Sequence, residues 1–523
     1  MTLHVGIDVG GTNTDAVALQ GTKVIAAHKT PTTPDVTDGI QTALDRLLSD
    51  LAVEGSDIAA VMIGTTHFTN AVVEGKGLLP TGVVRLCGPA TRALPPTIDW
   101  PDRLAAMVGG AIFLCQGGQE FDGRKIADLD EDELLAAAEE IARRGIKTVA
   151  ITSVFSPVDD AMERRAAEIM STVLPGAGFT LSSEIGRIGL LERENAAIVN
   201  ACLLGLADRI ISGLSEAVAR FGINAPVYLS QNDGTLMSAA YTNRYPVATF
   251  ASGPTNSMRG AAHLSGQTDC AVIDIGGTTS DIGILHHGFP REASMAVSIG
   301  GVRTNFRMPD VLSIGIGGGS IVRTDPDLTV GPDSVGYHLT KRALVFGGDV
   351  LTSTDVAVAA GLTEIGNPEL VTHLDPGMVT DAIALISGVL SELVDRMKTT
   401  PEPIPVVLVG GGSVLVGDSL RGASNLIRPA HFAVANAIGA GIAQVGGQVE
   451  RVVSLDDTPR ERALDAARAD AAERCRVAGA DPATVRIVEV DEVPLAYLPS
   501  NAVRIRVKAI GDLLIGADHA DLH

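Results

Sequence analysis

The chain predicts an α/β fold, and three observations carry the prediction. Apolar, β-branched runs alternate with amphipathic helical stretches along its 523 residues. A glycine-rich turn between two strands occurs at Asp8–Asp15 and again at Asp274–Asp281. No low-complexity linker divides the chain, and 46% of its residues are hydrophobic, enough for large buried cores. At roughly 100–200 residues per domain, two to four domains are expected.

The elements follow in order. Leu3–Val9 is alternating and β-branched, which predicts a strand. Gly10-Gly11 forces a tight turn and Thr14–Leu19 returns, so Leu3–Leu19 is expected to form a hairpin. Thr37–Asp50 has helical spacing, with Ile40, Leu44, Leu47 and Leu48 on one face. Ala59–Gly64 reads as a short buried strand running into Thr65-Thr66.

Asp130–Arg144 is an amphipathic helix with acids at its start and Arg143-Arg144 at its end, matching the helix dipole. Strand Thr148–Phe155 and helix Asp159–Leu174 continue a βαβα pattern and a mixed or parallel sheet. Glu192–Leu206 predicts a long helix bridging to the second half. Val227–Leu229, Ala271–Ile275, Asp281–His286 and Pro405–Val409 read as strands, the last ending in Gly410-Gly411-Gly412. The small apolar stretch Asn436–Ala443 suits close helix packing. Beyond Gly447 the character shifts to a charged, Ala-rich helix at Thr458–Val477 and strands at Val485–Val490 and Val503–Ala509.

Bulk chemistry narrows the function. A formal net charge of −22 argues against a nucleic-acid surface, which draws its affinity from Lys and Arg. The five cysteines form no CxxC pair, so a reduced, cytoplasmic setting is expected. The N-terminal residues lack a signal-peptide pattern, and no uninterrupted apolar run approaches the roughly 20 residues of a membrane span. No membrane association is expected.

The repeated turn carries the chemistry. Asp8-Val9-Gly10-Gly11-Thr12-Asn13-Thr14-Asp15 recurs as Asp274-Ile275-Gly276-Gly277-Thr278-Thr279-Ser280-Asp281. Each copy follows one apolar strand and precedes another. Paired glycines let backbone N–H groups approach a phosphate, and Thr adds a hydroxyl. Asp8 and Asp274 stand at strand ends, where a carboxylate holds Mg²⁺ directly or through water. Two such hairpins facing each other would clamp a nucleotide tail.

Several weaker candidates stand with two readings each. Gly318 and Gly319, in a Gly-Gly-Gly-Ser run, either line the substrate cleft or form a close-packed turn. Ser252-Gly253-Pro254-Thr255-Asn256 opens a helix whose N-terminus binds phosphate or is simply capped. His67 and Asn70 follow a strand, where α/β ligands sit, or His67 is structural. His286-His287 reads as an exposed turn before a metal site, and Gln231–Gly234 as a turn before a substrate contact. Arg85, Arg303 and Arg307 are anion-binding candidates or surface pairs.

The paired loops resemble the phosphate motifs of the actin, Hsp70 and sugar-kinase superfamily. Further residues occur in a fixed order: Gly64-Thr65-Thr66-His67-Phe68-Thr69-Asn70-Ala71, Glu192-Arg193, Asn200-Ala201, Ser252-Gly253-Pro254, Ile314–Ser320, Val330–Ser334 and Thr354-Asp355. This set resembles the hydantoinase A / 5-oxoprolinase family, which also contains acetone-carboxylase-type subunits, over roughly residues 3–445. The resemblance implies two actin-like (ribonuclease H-like) domains, at 1–190 and 191–447, around an interdomain nucleotide cleft. A small C-terminal α/β appendage would occupy 448–523.

It implies an ATP-dependent cyclic amide hydrolase of the hydantoinase/oxoprolinase type. ATP would phosphorylate a carbonyl oxygen of a cyclic amide or imide such as a hydantoin, 5-oxoproline or a related lactam. Acetone-carboxylase-type carboxylation, a small-molecule kinase and an ATP-driven non-catalytic switch are the alternatives on the same superfold. Gly10, Gly11, Thr12 and Asn13 would hold phosphates from one side and Gly276, Gly277, Thr278 and Thr279 from the other. Gly410, Gly411, Gly412 and Ser413 would contact adenosine. Asp8 and Asp274 would hold Mg²⁺, with Mn²⁺ the alternative, and with His67 they are the catalytic candidates. Thr65, Thr66, Asn70, Gly318 and Gly319 would meet the substrate. An oligomer and a second, hydantoinase B-type subunit are the expected partners. Two departures stand out: Ile63 replaces the His that the family usually has before Gly-Thr-Thr. Tyr337–Arg342 replaces a Gly-Pro, Cys-Tyr signature.

Overall fold

The computed structural model describes residues 3–32, 36–108, 110–293, 296–306, 308–456, 458–496 and 501–514. Its largest sheet has nine strands. From one edge they are Lys23–Pro31, Asn13–Gln20, Leu3–Val9, Ile58–Thr65, Val227–Ser230, Thr235–Ser238, Gln444–Ser454, Ala502–Gly511 and Arg486–Pro494. Leu3–Val9 runs antiparallel to Asn13–Gln20 and parallel to Ile58–Thr65, as in a hairpin followed by a crossover. The crossover is the predicted helix, now Val36–Leu51, whose Ile40, Leu44 and Leu47 pack on Val5, Ile7 and Val9.

The sheet crosses both expected domain boundaries. Strands from 227–238 and 444–511 lie beside those from 3–65, so this first domain is assembled from three parts of the chain. The expected C-terminal appendage is continuous with it: Gln444–Ser454 pairs in parallel with Thr235–Ser238. Helix Arg460–Val477 covers the sheet, with Ala467, Ala471 and Cys475 on Val445, Val449 and Val507. A Cβ at Gly447 would collide with the Ala471 carbonyl, so the helix lies directly on the strand. Small residues make that approach, which is why an alanine-rich helix occupies the position.

The βαβα region forms its own four-stranded parallel sheet, in the order Ile112–Gln116, Gly82–Gly88, Thr148–Ser153, Gly178–Leu181. It is inserted between two neighbouring strands of the large sheet. Helix Glu131–Arg143 is capped by Asp130, whose side chain accepts from Glu133 N–H, with acids in its first turn.

The second domain is built on a six-stranded sheet around Cys270–Ile275, flanked by antiparallel Ser280–His286 and parallel Ile404–Val409. Helix Pro376–Met397 fills its core with Val379, Ile386 and Leu390. That helix and Leu190–Ala219 are long and apolar enough to cross a membrane by length and composition, a correction to the reading from uninterrupted runs. In the fold both bury a face in cores, and Arg193, Glu194 and Asn200 of the longer one are fully buried and hydrogen-bonded. Two further helices, Ser252–Ser265 and Ala435–Gly441, cross between the two domains. Glycines set the crossing: a Cβ on Gly260 would strike the Ala435 carbonyl, and one on Gly439 the Asn256 carbonyl.

Candidate functional site

The two predicted phosphate turns share one geometry. In the first, Asp8 pairs with Asp15 across the hairpin and Gly10 N–H donates to the Asn13 carbonyl at 3.0 Å. In the second, Asp274 pairs with Asp281 and Gly276 N–H donates to the Thr279 carbonyl at 2.9 Å. The turns face each other: a Cβ on Gly277 would lie 2.8 Å from Cγ2 and 2.9 Å from Oγ1 of Thr12. One cleft between the domains therefore holds both loops.

Other segments build its walls. Ile404–Val409 runs parallel to Cys270–Ile275 with Val409 opposite Asp274, which delivers Gly410–Ser413 beside the second loop. Gly410 has φ +81, and a Cβ there would collide with Asp274 Oδ1, so the position requires glycine. A Cβ on Gly412 would lie 2.8 Å from the Gly276 carbonyl. Ser413 is fully buried and its hydroxyl has no hydrogen-bond partner. Gly318 N–H donates to the Gly276 carbonyl at 3.0 Å and Gly319 N–H to the Gly277 carbonyl at 2.6 Å. Thr354 Oγ1 donates to the Gly318 carbonyl at 2.8 Å. Gly318 and Gly319 are thus buried supports of the second loop, as in the close-packed-turn reading, while the resemblance implied a substrate contact.

On the first domain's side, Ile58–Thr65 places Gly64 opposite Asp8 and Thr65 opposite Val9. Ile63, the family departure, is a core residue of this strand. Thr65 Oγ1 and His67 Nδ1 are 2.5 Å apart, and Asn70 Nδ2 donates to Thr66 Oγ1 at 3.4 Å. Burial pushes the His67 pKa down, favouring the neutral imidazole. Ser252 Oγ donates to the Thr65 carbonyl at 3.2 Å, which joins this corner to the helix Ser252–Ser265.

Four carboxyl groups converge here under strong desolvation. Burial raises Asp8 to about 7, with repulsion from Asp15 and Asp274 adding to it. Burial raises Asp15 despite Lys29, whose Nζ lies 2.6 Å away. Burial raises Asp274 despite a hydrogen bond from Ser257 Oγ, and raises Asp281 to about 6 despite one from Ser313 Oγ. Four buried carboxyl groups with, among the described residues, only Lys29 to offset their charge, beside two glycine turns, suit a divalent cation carrying polyphosphate.

Ser257, Ser313, Lys29 and Asn436, which donates to Asp8 Oδ2 at 3.4 Å, were not singled out as site residues from sequence. Asn436 lies in the small apolar stretch that signalled helix packing, so its polarity within that stretch was the available clue. The other candidates fall elsewhere. Arg85 is fully buried and paired with the equally buried Glu194. Arg303 pairs with Glu192 at the surface, and Arg307 lies outside the described residues. Asp233 in the Gln231–Gly234 turn is held 2.8 Å from Lys508 of the C-terminal strand. His286 and His287 are exposed beside Asp269. Tyr337 is exposed, its ring 4.0 Å from that of His338 and tilted 44° to it. All five cysteines are buried and free.

Fold and site together define a class: a mixed α/β protein of two actin-like domains whose matching glycine turns meet in the cleft between them. Within that class the chain belongs to the hydantoinase/oxoprolinase family. Residues 4–174 match the hydantoinase/oxoprolinase N-terminal region and residues 193–404 match the hydantoinase/oxoprolinase domain. The chain is 28% identical over 385 residues to the caprolactamase subunit alpha of Pseudomonas jessenii, covering 68% of this chain and 54% of that one. It is 26% identical over 392 residues to the acetophenone carboxylase gamma subunit of Aromatoleum aromaticum, covering 68% and 53%. It therefore aligns with about half the length of these curated relatives. The crystal structure of the ATP-dependent caprolactamase from Pseudomonas jessenii shares the fold at a TM-score of 0.78 and 20% identity, covering 98% of this chain and 87% of that one.

Proposed function

We propose that this chain is an ATP-dependent enzyme subunit that phosphorylates the carbonyl oxygen of a cyclic amide or imide and so opens the ring. The single observation that carries the reading is the contact of Thr12 with Gly277, which makes two matching phosphate turns the jaws of one site. An amide carbonyl is a poor electrophile because its nitrogen donates into it. Attack of its oxygen on the γ-phosphorus breaks the bond to ADP and leaves an O-phosphorylated carbon. Water adds at that carbon, the C–N bond breaks with the nitrogen taking a proton, and a second water releases phosphate.

The chain's own contribution is positioning and charge compensation. Gly10–Asn13 and Gly276–Thr279 orient the phosphates, and Gly410–Ser413, with the unpartnered Ser413 hydroxyl, faces the nucleotide from the third wall. Asp8 and Asp274 would hold Mg²⁺ or Mn²⁺, which supplies positive charge against the γ-phosphate. His67, neutral at its buried site, is the group able to accept a proton beside Thr65 and Thr66. A separate subunit as partner is supported by the relatives, which are named as subunits.

The test is phosphate release from Mg-ATP with hydantoins, 5-oxoproline and larger lactams, with and without a candidate second subunit. Ring opening tied to ATP consumption is expected. ATP binding with no stimulation by any cyclic amide would overturn it. The acetophenone carboxylase relative favours a second reading, in which the same phosphorylation serves carboxylation. Incorporation of labelled bicarbonate into a ketone substrate would establish that reading instead.

A further inference from the structure

Asn256 lies in the first turns of helix Ser252–Ser265 and is fully buried. Both atoms of its carboxamide, Nδ2 and Oδ1, lack a hydrogen-bond partner. Its two neighbours do not share that state. Thr255 Oγ1 donates to the Asn232 and Ala251 carbonyls at 3.1 and 2.9 Å, and Ser257 donates to Asp274. The direction of the Asn256 side chain is fixed by Gly64: a Cβ there would overlap Asn256 Nδ2 and lie 2.5 Å from Asp8 Oδ1. The orphan amide and the Asp8 carboxylate thus border the same small space, with Asn436 on the other oxygen of Asp8.

The backbone that carries the side chain is held in place. The Asn256 carbonyl abuts Gly439, where a Cβ would collide with it, so the backbone is pinned between crossing helices. An unpartnered buried amide is destabilising, and alanine would be the better helix former. A polar residue kept at such a cost on the floor of a ligand cleft marks a group whose partner arrives with the ligand.

We propose that Asn256 is a ligand-binding residue of this cleft, its carboxamide hydrogen-bonding the hydrated cation–triphosphate complex beside Asp8. This rests on the nucleotide reading above. It adds a contact from the crossing helix, outside both phosphate turns and the Gly410–Ser413 loop.

The experiment compares wild type with Asn256→Ala, using thermal unfolding of the full chain with and without Mg²⁺ and a non-hydrolysable ATP analogue, and calorimetric titration of the same analogue. The wild type is expected to gain stability with ligand. The variant is expected to unfold, without ligand, at the same or a higher temperature than wild type, while its affinity falls by about tenfold or more, the effect of removing a hydrogen bond to a charged group. An unliganded variant that is less stable or does not fold, or a variant that binds the analogue as wild type does, would overturn the assignment. A wild type that does not bind the analogue would overturn the nucleotide reading itself, and this inference with it. Because the nucleotide reading is judged on wild-type binding and the Asn256 assignment on the variant measured against it, the two failures are distinguishable.

Discussion

Replacing Asp8 by Asn tests the electrostatics of the cleft through stability rather than activity. The folded protein holds the Asp8 proton up to about pH 7, while the unfolded chain releases it near 3.8. Between those values the folded state carries the extra proton. Stability from this group is therefore full below about pH 4 and is lost as pH rises through 7. Above pH 7 the buried charge costs about 4 kcal/mol at most, from the gap between the two values. Asn removes that charge with nearly unchanged shape but weakens the bond from Asn436, worth about 1 kcal/mol. The expected net gain for Asp8→Asn without metal is about 3 kcal/mol above pH 7, falling through zero to a loss of about 1 kcal/mol near pH 4, where only the weakened Asn436 bond remains. Urea unfolding of both proteins in chelator, across that pH range, reads the difference directly. A variant less stable than wild type at alkaline pH, or a difference independent of pH, would refute the reasoning.

Three further outcomes follow from the same geometry. Gly410→Ala places a methyl on Asp274 Oδ1 at a φ of +81, and is expected to lower nucleotide affinity and turnover by about a hundredfold while far-ultraviolet circular dichroism stays native. Arg85→Leu strands the buried Glu194 and is expected to destabilise by about 3–5 kcal/mol in denaturant titrations; adding Glu194→Leu should restore most of it. Mg²⁺ binding at about pH 6 should displace the Asp8 proton into solution, roughly one per site, measurable by titration in buffers of different ionisation enthalpy. That release should vanish well above pH 7.

Much of the site was legible because its chemistry is local. The glycine pairs, their flanking strands and Asp8 and Asp274 lie in contiguous segments, and the hairpins formed at Leu3–Val9 with Asn13–Gln20 and at Cys270–Ile275 with Ser280–His286. What escaped is long-range. Strand Thr235–Ser238 meets Gln444–Ser454 only after the second domain has intervened, so a reading along the chain divides the first domain and detaches its last strands. Arg85 read as an anion-binding candidate or a surface pair because nothing local announces its buried partner Glu194, on a bridging helix packed against an inserted sheet. Gly318 and Gly319 looked like a ligand loop. Their N–H groups are taken by the carbonyls of the second turn, a fact visible only once the strands are stacked.

The central claim is that the two turns are one site. Calorimetric titration of Mg²⁺ with a non-hydrolysable ATP analogue tests it most directly, on wild type and on two variants that each crowd one turn, Gly10→Val against the Asn13 carbonyl and Gly276→Val against the Thr279 carbonyl. The account predicts one nucleotide per chain, with binding lost in either variant. Two nucleotides per chain, or a variant of one turn that leaves wild-type binding at the other, would contradict it.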